Sequence, residues 1–72
     1  MRMERHQFVC RVVCGGKSVF SAMRGSASLA RAEADPQHGD TVEVWQVRSV
    51  YIAPLKAWSE RDRKLISTEV AA

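Results

Sequence analysis

The sequence predicts an α+β fold: a small three-stranded antiparallel sheet in the order β-β-α-β, with one packed helix and a C-terminal helix. Three observations carry this. A Gly15-Gly16 pair stands between two runs of strand-forming residues, which marks a hairpin. A long β-type segment, DTVEVWQVRSVYI, runs from Asp40 to Ile52 and is apolar on both faces. Between them lies an alanine-rich stretch with helix stops behind it. At 72 residues the chain is a single domain, 1–72, near the size at which one core contributes only about 3–5 kcal/mol.

The hairpin is expected over 6–23. With the glycines in the turn, Cys14 faces Lys17, Val12 faces Val19, Cys10 faces Ser21 and Phe8 faces Met23. One face then carries Phe8, Cys10, Val12, Val19 and Met23, the expected core side. The other carries Val9, Arg11, Val13 and Phe20, with Arg11 beside Phe20.

Arg24-Gly25 breaks the second strand, and Ser26 or Ser28 caps a short helix over 27–35. Its one large apolar residue is Leu29, so it should lie on the sheet through Leu29 and the small Ala30, Ala32 and Ala34. Asp35-Pro36 and Gly39-Asp40 stop it. The long strand is expected over 41–52. Val42, Val44, Val50 and Ile52 alternate against Trp45, Val47 and Tyr51. Ala53-Pro54 ends it. Pro54 suits a helical first turn, so a helix is expected over 54–67, with Leu55, Trp58, Leu65 and Ile66 on one side. Ser59 with Asp62 resembles a capping box and offers a helical start near residue 60 instead. Residues 68–72 should fray.

Composition narrows the classes. The apolar fraction of 46% and charged fraction of 26% are those of a folded protein rather than a disordered one. No apolar run approaches the roughly 18 residues of a membrane span. Arg11 interrupts the valines after the basic start, which argues against a secretory signal and makes the cytoplasm the expected compartment. The net charge is +3, and its arginines and lysines are scattered among the acids instead of gathered on one stretch. Arginine exceeds lysine eight to three, which together with the frequent alanine suggests a GC-rich bacterial or phage genome.

No catalytic or cofactor pattern emerges. Cys10 and Cys14 lie on one face of a strand about 13 Å apart at roughly 3.3 Å per residue, too far for a disulfide. His6, Cys10, Cys14 and His38 have no close-paired metal-ligand spacing. Gly15-Gly16-Lys17-Ser18 has the end of a phosphate-binding loop but not the preceding glycine, and strand rather than helix follows. The expectation is a non-enzymatic protein with no cofactor, no metal and no membrane partner.

What remains is contact. Trp, Tyr and Arg are the residues most enriched at interface hot spots, and Trp45, Arg48, Tyr51, Trp58, Arg61 and Arg63 are the candidate partner-binding set. Against this stands the plainer reading that Trp45 or Trp58 closes the core. A homodimer through the long strand or the last helix is a further expectation. A rival class is a nucleic-acid-binding accessory protein, with aromatics stacking bases and Arg48, Arg61, Arg63 and Lys64 on phosphates. On a regular strand, Arg48 alternates away from Trp45 and Tyr51.

The stretch SASLARAEADPQHGDTVEVWQV resembles the helix-loop-strand part of small β-β-α-β host-interaction proteins of phages and prophages, anti-CRISPR inhibitors among them. The likeness covers residues 6–52 and rests on pattern, so it transfers no functional residue. It implies a protein that binds and blocks a host protein complex such as a CRISPR-Cas effector. Many such inhibitors are acidic and imitate DNA. This chain is basic, so the implied mode is occlusion of a protein surface.

Overall fold

The computed structural model describes residues 3–72. It corrects the expected class: the protein is mostly β, a four-stranded antiparallel sheet with one short helix. The elements are β1 (Glu4–Cys14), β2 (Lys17–Phe20), α1 (Ala27–Ala34), β3 (Thr41–Ile52) and β4 (Ala57–Val70). Their order across the sheet is β2-β1-β3-β4.

The first hairpin follows from its turn. Gly15 and Gly16 have φ of 56° and 81°, the doubly positive geometry that matches the twist of paired strands. Cys14 then faces Lys17 and Val12 faces Val19. The register holds to Phe20 and slips after it. Ser21 N–H donates to the Cys10 carbonyl at 2.9 Å, but Cys10 N–H donates to the Ser21 hydroxyl at 3.0 Å, not to a carbonyl. Phe8 consequently bridges to Arg24 rather than Met23.

The expected C-terminal helix over 54–67 is absent; that stretch is a turn and then β4. Pro54 does open a helical turn, but it is a 3-10 turn of three residues, Ala53–Leu55. Lys56, at φ 49°, ends it in the left-handed region and sends the chain back along β3. Pairing then runs from Ile52↔Ala57 to Thr41↔Val70. The physical reason is the two-sided β3. With β1 on one edge, its other edge would leave a row of backbone donors and acceptors unpaired, and β4 fills it. Tertiary pairing outweighs the helical propensity of Leu55–Ile66. Two register shifts place Arg61 and Ile66 as extra residues in β4, which are β-bulges. The tail beyond β4 does not fray at Ala71, which is 5% exposed. Its N–H donates to the Asp40 carbonyl and its carbonyl accepts from Gly39 N–H, each at 2.9 Å.

Helix α1 covers one face only. Ser26 caps it, accepting from Leu29 N–H at 3.2 Å, and Asp35 closes it with φ 48°. The core is Cys10, Val12, Val42, Val44, Ala30 and Ala71, with Phe8, Ala27 and Ala34 packed against it. Here too the expectation is corrected: the helix meets the sheet through alanines, whereas Leu29 is 60% exposed. Small residues let the helix backbone sit close to β1, and Leu29 falls on the outer side. Val19, expected in the core, is exposed because the helix lies over β1 and β3 rather than β2.

Candidate interaction face

The register assigns side chains to the two sides of the sheet. β1 and β3 pair without interruption from Glu4↔Val50 to Val13↔Thr41, so alternation is regular and directly opposed residues share a face. Phe8, Cys10, Val12, Val42 and Val44 point toward α1. The opposite, open face receives Arg5, Val9 and Arg11 from β1, Glu43, Trp45, Val47 and Tyr51 from β3, and Trp58, Glu60, Arg63 and Leu65 from β4. Phe20, opposite Arg11, joins them from β2. Among the described residues no helix or strand lies over this face.

Side chains on the open face hold one another in place. The Trp58 ring packs edge-on against Tyr51, with centroids 5.4 Å apart and planes at 65°. The Arg5 guanidinium lies 4.3 Å from the Trp58 ring centroid, well inside cation–π range. At the other end Arg11 lies 5.9 Å from the centroid of Phe20. Its Nε and Nη2 donate to the Ser18 hydroxyl at 3.2 and 2.9 Å, and its Nη1 to Glu43 Oε1 at 3.1 Å. Trp45 Nε1–H donates to the same carboxylate oxygen at 3.3 Å. Arg63 makes two hydrogen bonds to Glu60, at 2.8 and 3.0 Å. They hold the Glu60 carboxyl below its usual range.

The face is hollowed rather than flat. A depression of about 330 Å³ is lined by Val9, Phe20, Ser21, Met23 and Arg63. A neighbouring one of about 220 Å³ is lined by Arg11, Phe20, Trp45 and Arg63. Phe20 is 55% exposed, yet Val9, which lines the same depression, is 4% exposed. Large side chains therefore shield the small ones at the floor, and present their own outer surfaces. Met23, expected on the core side, reaches this side because of the one-residue slip after Phe20.

Of the sequence-derived candidates, Trp45, Tyr51, Trp58 and Arg63 come together on the open face. Arg48 does not. It points to the helix side, where it bonds Glu4 at 2.7 Å and Asp62 at 2.9 and 2.7 Å, and both carboxylates push its pKa further up. Arg61 is the extra residue of a bulge. The sequence singles out no role for Arg5, and it places Arg11 and Phe20 on a hairpin face open to binding, with Phe20 among the base-stacking aromatics, but outside the partner-binding set. The signal for all three was period-two alternation extended from β3 to its neighbours.

The cysteines lie elsewhere: Cys10 is buried in the core and Cys14 exposed beside the turn. Burial pushes the Cys10 thiol up, and hydrogen bonding to the Asp40 carboxylate pushes up Cys14. Among the described residues no group of three or more His, Cys, Asp or Glu is placed to hold a metal ion, and no helix is long and apolar enough to cross a membrane. Comparison with protein-family models, with curated proteins and with solved structures finds no match.

Proposed function

We propose that this protein is a binding module whose open face grips a partner protein. The observation that carries the reading is the gathering of Phe20, Trp45, Tyr51 and Trp58 with Arg5, Arg11 and Arg63 on one uncovered, hollowed side of the sheet. These residue types dominate interface hot spots. Their mutual hydrogen bonds and ring contacts lower the ordering cost that binding would otherwise incur. The resemblance to phage host-interaction proteins extends the proposal to a class of partner, a host complex that the module occludes.

Charge separates this reading from its rival. Arg11 and Arg63 already carry Glu43 and Glu60 as partners at 3.1 and 2.8 Å. A nucleic acid would have to displace both carboxylates and would feel their repulsion, whereas a protein surface can match both signs.

The test is capture from nuclease-treated bacterial lysate with tagged protein. The wild type is compared with Trp45→Ala/Trp58→Ala and with Leu29→Ala as a helix-side control, each checked for native circular dichroism. The reading expects one protein at near-equal stoichiometry, retained by Leu29→Ala and lost with the tryptophans. Recovery that disappears on nuclease treatment, and falls steeply with salt, would overturn it in favour of nucleic acid.

A further inference from the structure

We propose that two copies of this chain join edge to edge through β4, antiparallel across a two-fold axis, with Glu60 of each strand opposite Arg63 of the other. This goes beyond the open-face reading and stands on separate observations.

The long strand β3 is central, with both edges paired, so it offers no edge for assembly. β4 does. It is 14 residues long, contains neither Pro nor Gly, and forms one border of the sheet, exposed along its length except at the half-buried Trp58 and Ser59. Its outer row of backbone donors and acceptors is a template for another strand.

The bulge at Arg61 selects the register. Pairing of a regular strand with its own two-fold copy brings together residues an even number apart, because both must share a face and a hydrogen-bonding direction. The extra Arg61 shifts that parity. Glu60 lies opposite Ser49 and Arg63 opposite Val47, two residues apart on β3, so Glu60 and Arg63 point the same way and occupy equivalent ladder positions. Trp58 and Leu65 are equivalent by the same reasoning, opposite Tyr51 and Trp45.

One symmetric register satisfies all of them. Glu60 meets the other copy's Arg63, Trp58 meets its Leu65, Ser59 meets its Lys64, and the two bulges face each other at the axis with Arg61 near the other Asp62. Every cross-strand charge meets its opposite or a neutral group. Bulges and charges ordinarily blunt an edge. Here their placement makes the edge self-complementary, and joining two copies would continue the open face from one sheet to the next.

The experiment is sedimentation equilibrium of the full chain across micromolar to millimolar concentration, with circular dichroism on each sample. The wild type should approach twice the 8.1 kDa chain mass. Arg63→Glu turns two attractive cross-strand pairs into repulsive ones, and should raise the dissociation constant by about 30-fold. Glu60→Arg/Arg63→Glu restores the pairs and should restore the dimer. A wild type of chain mass at every concentration overturns the proposal, as do assemblies beyond the dimer or a dimer indifferent to Arg63→Glu. Should Arg63→Glu lose its native spectrum, Glu60→Arg makes the same charge reversal from the other side of each pair and should raise the dissociation constant alike; an unchanged dimer then overturns the proposal.

Discussion

Val42→Ala tests where the stability of this small sheet resides. Val42 is fully buried, at 0% exposure, opposite Val12 on β1 and within the cluster beneath Ala30. The substitution removes two carbons' worth of buried surface, about 1.6 kcal/mol at roughly 0.8 kcal/mol per carbon. The unfilled space adds to that, because the neighbours relax only partly, so the total should be about 2–3 kcal/mol. For a domain of this size that is on the order of half the total stability, and a fall in Tm of roughly 10–20 °C. Urea unfolding followed by far-ultraviolet circular dichroism measures it, with Leu29→Ala alongside. Leu29 is 60% exposed, so its truncation should cost no more than about 0.5 kcal/mol. Equal losses from the two variants, or a larger one from Leu29→Ala, would refute the assignment of the core to the alanine side of α1.

Other outcomes follow from single contacts. Ser26→Ala removes the acceptor for Leu29 N–H and should lower stability by about 1 kcal/mol in the same urea assay; no change would mean that the cap is solvated. Arg63 holds the Glu60 carboxyl below its ordinary value, so this pair stabilises the fold above the unfolded-state pKa, near 4.3, and loses that contribution as pH falls through the lower folded-state value. In Arg63→Gln the Glu60 titration midpoint, read by carboxyl carbon NMR, should rise toward the ordinary range; an unmoved midpoint contradicts the pairing. The Asp40 carboxylate raises the Cys14 thiol, so Asp40→Asn should speed iodoacetamide labelling of Cys14 near pH 8. In wild type Cys10 should label more slowly than Cys14, being buried. Peptide mass spectrometry distinguishes the two, and slower Cys14 labelling in Asp40→Asn would count against the hydrogen bond.

Local chemistry was legible where it acted alone. Two glycines specify a tight turn and with it the register from Cys14↔Lys17 to Val12↔Val19. Alternating valines specify the strand Thr41–Ile52, and a serine before an alanine-rich run specifies a cap. The missing information was long-range. β4 reads as a helix because Arg61 and Ile66 interrupt its period-two pattern, leaving Leu55, Trp58 and Leu65 at helix-like intervals. The β-branched Ile66, Thr68 and Val70, at alternate positions, are the surviving strand signal. Hydrophobicity alone points to Leu29 as the helix anchor, yet the close approach of α1 to β1 favours alanines. As for the open face, alternation placed Trp45 and Tyr51 together and Arg48 apart. The contribution of Arg5 and Phe20 needed the pairing of three other strands around β3.

The most direct test of the interaction face is calorimetry with the captured partner, comparing variants of the two sides of the sheet. Trp45→Ala/Trp58→Ala alters the open face. Val19→Ala/Leu29→Ala alters two apolar residues, each 60% exposed, that lie away from it. The account predicts a loss of at least about 30-fold for the tryptophan pair, as for residues worth about 2 kcal/mol or more at an interface. It predicts no more than about a threefold change for the other pair, as for exposed residues outside the contact. A partner that tolerates the tryptophan changes in a natively folded protein, and is lost with Val19 and Leu29, would place the contact on the helix side and contradict the account.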